Sequence, residues 1–232
     1  MNAQAELPTE LFVPERKPLA LLRGFGVAAT LPAVWPRIAD RRGHANVVVV
    51  PGFMTGDSVT FVLRRTLARL GHRVDGWGLG LNLGRVESVL PRVAGLVRRR
   101  ARQGRVDIIG WSLGGFMARE VAREAPALVR QVITMGSPIV GGPKYTTTHR
   151  FFRERRGLDL DVLEQELLLR DRRPIEVPIT ALFSRSDGVV CPAACIDRVS
   201  PKVEHVEVQC AHTGFGFSPE VYEVITERLL RS

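Results

Sequence analysis

Apolar positions along this chain fall into alternating runs of two kinds. Asn46–Val50 reads NVVVV, a continuous β-branched run closed by Pro51-Gly52, the pattern of a strand buried on both faces. Val59, Val62, Leu63, Leu67 and Leu70 then recur at helical spacing, with Asp57 or Ser58 placed to cap the helix and Gly71 to end it. A short strand is expected over 73–77, then a glycine-rich loop, GLGLNLG, over 78–84. Val86, Val89, Leu90, Val93, Leu96 and Val97 mark a second helix, with Pro91 assigned to its first turn. Further strands are expected over 106–110, 129–135, 179–184 and 203–208, with a helix from Ser112 to about Glu124 after the first of these. The chain closes in a helix with Ser218 as N-cap, Pro219 at its first position and Val221, Val224, Ile225 and Leu229 inward.

Strand–helix alternation with right-handed crossovers predicts an α/β fold: about six mostly parallel strands with helices on both faces. One excursion, 138–178, breaks the alternation. It holds Arg150, Arg153, Arg155 and Arg156 and a helix near 158–170 whose Leu163, Leu167 and Leu168 share one side. It leaves the sheet at the edge where ligands bind in such folds, so it is expected to be a mobile lid over the site. Residues 46–232 form the expected catalytic domain, and residues 1–45 an extension packed on or near it.

Composition narrows the picture. The 232 residues are 45% hydrophobic and 25% charged, which suits one globular domain and excludes wholesale disorder. Three cysteines cannot staple a fold of this size, and no Cys/His cluster of metal type occurs. The net charge is +9, and all but Lys17, Lys144 and Lys202 of the basic residues are arginine. Such charge attracts anionic partners, but no nucleic-acid motif accompanies it, so nucleic acid is not an expected partner. Residues 1–17 carry Glu6, Glu10 and Glu15 ahead of Arg16 and Lys17, a poor secretory leader, and the expected location is cytoplasmic. The stretch 19–35 is too interrupted to span a bilayer; it either packs on the domain or lies on a membrane surface.

The strongest chemical signal is Gly110-Trp111-Ser112-Leu113-Gly114, between a strand and a helix. A sharp strand-to-helix turn strains the serine's backbone and needs small neighbours. It also sets the serine at a helix N-terminus, where free N–H groups favour an oxyanion. A base and an orienting acid are expected later, each just past a strand end: Asp187 in SRSDGVV and His212 in CAHTG. Asp197 competes for the acid role. His205 lies inside an alternating strand, His44 and His72 precede strands, and His149 lies in the excursion. Leu113 supplies one oxyanion N–H, and Phe53 the second, with Met54 as the alternative; Gly52 permits close approach. Met54, Trp111, Phe215 and Phe217 are the candidate apolar pocket.

PGF, GWSLGG, SRSDGVV and AHTGF together resemble the oxyanion loop, elbow, acid loop and histidine loop of compact bacterial lipase/esterase-like α/β-hydrolases. The resemblance runs from Asn46 to the C-terminus. It implies hydrolysis of carboxylic esters by Ser112, His212 and Asp187 with neither metal nor organic cofactor. Two departures stand out: Pro51-Gly52 replaces the family's usual His-Gly, and its antiparallel N-terminal strands are not visible in 1–45.

The expected substrate is thus a small-molecule ester with an apolar part. GWSLGG and the arginine-rich excursion also resemble an esterase acting on acyl groups held by carrier protein, which Arg150, Arg153, Arg155, Arg156, Arg172 and Arg173 can dock. A non-catalytic binding protein on the same fold is a third reading, disfavoured by the Ser, Asp, His order. Cys195 and Cys210 either bridge the acid and histidine loops or, as expected in the cytosol, stay free.

Overall fold

The computed structural model describes residues 9–15 and 31–231. The part of the 19–35 stretch before Leu31 therefore lies outside the described residues. From there, α1 (Leu31–Ile38) sets Val34 and Ile38 into the core against the last helix. The chain then alternates β1 (Asn46–Val50), α2 (Phe61–Arg69), β2 (Arg73–Asp75), α3 (Val86–Arg100), β3 (Val106–Trp111), α4 (Leu113–Glu124) and β4 (Val129–Met135). After the excursion with α5 (Leu160–Asp171) come β5 (Ile179–Phe183), β6 (Val203–Glu207) and α6 (Pro219–Leu230). The six strands form one sheet in the order β2-β1-β3-β4-β5-β6, every neighbouring pair parallel, as the alternation predicts.

The valines of β1 explain why this strand lies inside. Val47 and Val49 face one layer with Leu63, Leu67, Val221 and Ile225; Val48 and Val50 face the other with Val93, Val97 and Met117. All four are fully buried. Each such side chain contributes about 1.5–3 kcal/mol by leaving water, so a run of four commits this segment to the centre.

Local expectations fail where a distant partner intervenes. The helix after β1 starts at Phe61, not at Asp57 or Ser58. Asp57 instead accepts hydrogen bonds from the backbone N–H groups of Trp77 and Gly78, both at 3.0 Å, tying two loops together. β2 stops at Asp75, and Trp77 turns inward with its indole N–H on Gly80 O at 2.9 Å. Pro91 stands in the second turn of α3, not the first, so the helix carries it without the N–H that would reach Glu87. Ser218 caps α6 by backbone position only. On α5, Leu167 is buried and Leu163 half-buried, but Leu168 is exposed.

The 138–178 segment is laced to the loop after β5. Thr147 N–H donates to Val189 O at 2.9 Å and Cys191 N–H to Tyr145 O at 3.0 Å. Lys144 bridges Asp161 at 2.6 Å and Glu164 at 2.5 Å, which holds α5 over this part of the chain.

Candidate active site

In the strand order above, β1 runs on to β2 on one side and β2 returns to β3 on the other. The carboxyl ends of β1 and β3 therefore flank a crevice, the place where open α/β sheets bind ligands. Ser112 follows β3 immediately. Its φ of 54° and ψ of −122° lie where residues with a side chain are strained, and such strain persists only when neighbours impose it. Close approach does so here. A Cβ on Gly110 would stand 2.4 Å from Gly114 O, and one on Gly114 would stand 2.2 Å from Val50 O. Ser112 N–H donates to Met135 O at 2.8 Å, and Leu113 opens α4 with Ser112 at its N-cap position.

Asp187 and His212 meet at the ends of β5 and β6. Asp187 Oδ2 lies 2.8 Å from His212 Nδ1, and Oδ1 accepts from Val189 N–H at 2.8 Å and Val190 N–H at 2.6 Å. His212 N–H also donates to Asp187 O at 2.8 Å. Both residues are buried. Ser184 adds a brace that the sequence did not reveal: its hydroxyl donates to Cys210 O at 2.6 Å and accepts from Ser186 N–H at 3.1 Å. Gly136 is a second one. Its φ is 53°, and a Cβ there would fall 2.7 Å from the Phe215 ring and 2.9 Å from Asp187 Oδ2. The signal available in the sequence is a glycine directly after a strand.

Ser112, Asp187 and His212 line one cavity of about 1110 Å³ with Phe53, Trp111 and Phe217. The excursion supplies part of its wall through Phe152, Leu163 and Leu167. Phe53 packs on Phe151 and Phe152, ring centroids 5.1 and 4.9 Å apart. Two candidate pocket residues lie elsewhere. Phe215 is fully buried behind His212, edge-on at 6.2 Å, and Met54 turns outward with φ 56° and more than half its surface exposed.

Asn82, hidden in the glycine-rich loop, explains the course of residues 51–55. It is fully buried, and its Nδ2 donates to Pro51 O at 2.9 Å while its backbone N–H donates to Thr55 O at 2.8 Å. Its backbone carbonyl accepts Met54 N–H at 2.7 Å, so that N–H is engaged. A lone amide side chain among glycines was the available signal, but its partners lie some thirty residues earlier.

The rivals occupy other places. Asp197 pairs with Arg119 of α4 at 2.7 Å, both side chains buried. Burial alone would raise its pKa, but Arg119 and the N–H groups of Ser200 and Val199 hold it at about 2. His205 Nε2 accepts Asp197 N–H at 3.0 Å, and His72 Nδ1 accepts Ala45 N–H at 3.2 Å. His149 Nδ1 sits 2.9 Å from Thr146 O. Cys191, Cys195 and Cys210 are all free; burial, with Asp187 and Glu220 nearby, pushes the Cys210 thiol up to about 12. Among the described residues no group of three His, Cys, Asp or Glu could hold a metal, and no helix is long and apolar enough to cross a membrane.

The parallel sheet in this order, with a strained serine after its third strand and an Asp–His pair past its last two, has the α/β-hydrolase fold. Solved structures agree. A metagenome-derived lipolytic enzyme of the LipS and LipT pair is similar at 15% identity, covering 82% of this chain and 94% of its own, with a TM-score of 0.63. The monoacylglycerol lipase of Paleococcus ferrophilus is similar at 15% identity over 81% and 96%, TM-score 0.59. A thioesterase domain from the curacin biosynthetic pathway follows at 14% identity over 81% and 91%, TM-score 0.56. No protein-family model and no curated protein matches the chain.

Proposed function

We propose that this protein is a serine hydrolase that cleaves carboxylic esters with a sizeable apolar part through an acyl-enzyme. The observation that carries this reading is the 2.8 Å contact between Asp187 Oδ2 and His212 Nδ1, in the same cavity as Ser112 on its strained turn. With Nδ1–H given to Asp187, His212 keeps Nε2 unprotonated as a base. Ser112 Oγ attacks the ester carbonyl as His212 takes its proton, and the same imidazolium then protonates the leaving alcohol. Water repeats the sequence on the acyl-enzyme and releases the acid. Asp187 orients the ring and stabilises its charged form without itself accepting the proton.

The developing oxyanion is held by the N–H groups of Leu113, at the start of α4, and Phe53. Phe53 is favoured over Met54 because the Met54 N–H is already bonded to Asn82 O. A cavity of about 1110 Å³ exceeds the roughly 300–1,000 Å³ of ordinary small-molecule sites, which supports a long acyl or alcohol group.

The test is active-site labelling with a fluorophosphonate, read beside turnover of a p-nitrophenyl ester. Labelling and turnover by the wild type, both lost in Ser112→Ala, support the assignment; an unlabelled wild type or an active variant overturns it.

A further inference from the structure

Thr55 stands in the loop after β1, two residues past Phe53, and is half-buried in the lining of the cavity. Three bonds fix its position. Its hydroxyl lies 2.8 Å from Gly52 O, its N–H donates to the same carbonyl at 3.3 Å, and its own carbonyl accepts Asn82 N–H at 2.8 Å. A carbonyl oxygen can only accept, so the Thr55 hydroxyl spends its one proton on Gly52. Oγ1 is left as an acceptor, with no donor to it among the described residues.

Gly52 brings that acceptor close to the nucleophile. A Cβ on Gly52 would stand 3.2 Å from Ser112 Cβ and 3.8 Å from Thr55 Oγ1, so both flank the space that this glycine leaves open. The strand order then decides which part of a substrate meets it. Thr55 follows β1, whereas the acid and histidine loops follow β5 and β6, on the other side of β3 and Ser112. A leaving alcohol must face His212, which protonates it, so the acyl part is left to the β1 flank. Two other cavity hydroxyls also spend their protons inside the protein. Ser88 of α3 donates to Arg85 O at 3.1 Å; Thr148 of the excursion donates to Thr146 Oγ1 at 2.7 Å, since Thr146 itself donates to Pro143 O at 2.9 Å.

We propose that Thr55 is a specificity-determining residue that selects esters whose acyl part carries a free hydroxyl on its second or third carbon, this hydroxyl donating to Thr55 Oγ1. The inference rests on the hydrolase reading, because it names the substrate of that same site. A plain acyl chain filling the cavity shuts water away from Oγ1 and offers nothing in exchange, whereas a hydroxyl there replaces the lost bond. Reach sets its place on the chain. The reacting carbon is joined to Ser112 Oγ, so a group one or two bonds further along the acyl part spans the gap to Oγ1. Thr55 is held before substrate arrives, so little ordering entropy opposes the bond. Phe53 and Val59 line the cavity on the same loop and give the rest of the chain an apolar wall.

The experiment compares kcat/KM of the full-length protein for the ethyl esters of hexanoic, 2-hydroxyhexanoic and 3-hydroxyhexanoic acid. Each value is divided by the ester's own rate of alkaline hydrolysis, since a hydroxyl near the carbonyl activates the ester by itself. The wild type is expected to favour one hydroxy ester roughly tenfold over the plain one. Thr55→Val, of the same shape without the acceptor, brings that ratio near unity, and Thr55→Ser keeps it. Equal treatment of the three esters by the wild type overturns the proposal. So does a ratio that survives in Thr55→Val, the result of a loosened loop that slows all esters alike. Loss of the ratio in Thr148→Val but not in Thr55→Val overturns it in favour of the excursion. A preference for 2-hydroxyethyl hexanoate over ethyl hexanoate that Thr55→Val abolishes overturns the acyl assignment in favour of the alcohol. Affinities of Ser112→Ala protein for the same esters, measured by calorimetry, give a readout free of turnover. A wild type that hydrolyses none of them removes the hydrolase reading, and the affinity ratio then decides: a tenfold preference lost with Thr55→Val sustains the hydroxyl subsite, and a ratio near unity overturns it as well.

Discussion

His212 and Asp187 are joined twice, once through Nδ1 and Oδ2 at 2.8 Å and once from the His212 N–H to the Asp187 carbonyl at 2.8 Å. The second bond fixes the two loops to each other whatever the side chains do. An amide at position 187 therefore keeps the backbone pairing and changes only the proton arrangement of the imidazole.

Asp187→Asn is accordingly expected to lower kcat by about 10⁴-fold while the fold survives, because the amide favours the wrong tautomer. Asp197→Asn should do the reverse, lowering stability by weakening the pair with Arg119 and leaving turnover of a soluble ester near wild type. Measuring kcat and melting temperature for both variants checks the assignment, and the opposite pattern would reassign the acid.

Ser112→Ala is expected to reduce ester turnover by roughly 10³-fold or more with no loss of cooperative unfolding. Alanine meets the same backbone geometry with a smaller side chain, and the contacts around Gly110 and Gly114 are unchanged.

Asn82→Ala should act on the reaction rather than on affinity. It removes the bonds to Pro51 O and Gly84 N–H, and although the backbone bonds to Met54 and Thr55 remain, the start of the 51–55 loop loses its side-chain anchor and the Phe53 N–H its fixed aim. We expect kcat to fall by about 10–100-fold with KM little changed. Asn82→Asp, of equal shape but with a second acceptor facing Pro51 O, should be no better. A lowered melting temperature with normal kcat in both would make Asn82 a structural residue alone.

Acid should destabilise the protein first through its buried histidines. Burial, aided by Arg130 and His44, lowers the His72 pKa from 6.5 to about 4, so the ring is neutral when folded. Its contribution is complete above pH 6.5 and is lost as pH falls toward 4, on the order of 3 kcal/mol in total. Burial lowers His205 as well, so it adds to the loss in the same direction as pH falls below 6.5. Denaturant midpoints measured across pH 4–6.5 should therefore flatten in part for His72→Asn, which retains an acceptor for Ala45 N–H. An unchanged slope would remove His72 from the account.

Much of this molecule is legible in the sequence where the cause is local. β1 declares itself by four consecutive valines, and the serine turn by glycines that must be small because backbone passes within contact distance. Asp187 and His212, singled out by their places after strands, do meet past β5 and β6. Asp57 was misread because its partners, Trp77 and Gly78, are some twenty residues on and outcompete the helix cap. Met54 was placed in the pocket because it adjoins Phe53, but a positive φ turns it outward. Phe215 adjoins His212 in much the same way, yet it fills space behind the ring. Asn82 escaped altogether, since its importance exists only once the loops after β1 and β2 come together.

The brevity of β2 bears on how copies of this protein behave when crowded together. Three residues, Arg73, Val74 and Asp75, are all that one margin of the sheet presents, and two of them are charged. The other margin, β6, carries Glu204 and Glu207, and Glu204 is held by Arg228 and Arg231. Neither margin gives a neighbouring chain a long, flat, apolar row of unmatched amides on which to zip. In a concentrated preparation, self-adhesion is thus steered away from the sheet and toward exposed apolar side chains of loops and helices, such as Leu81, Phe61 and Leu169, and a mild detergent that coats them should keep the protein monodisperse.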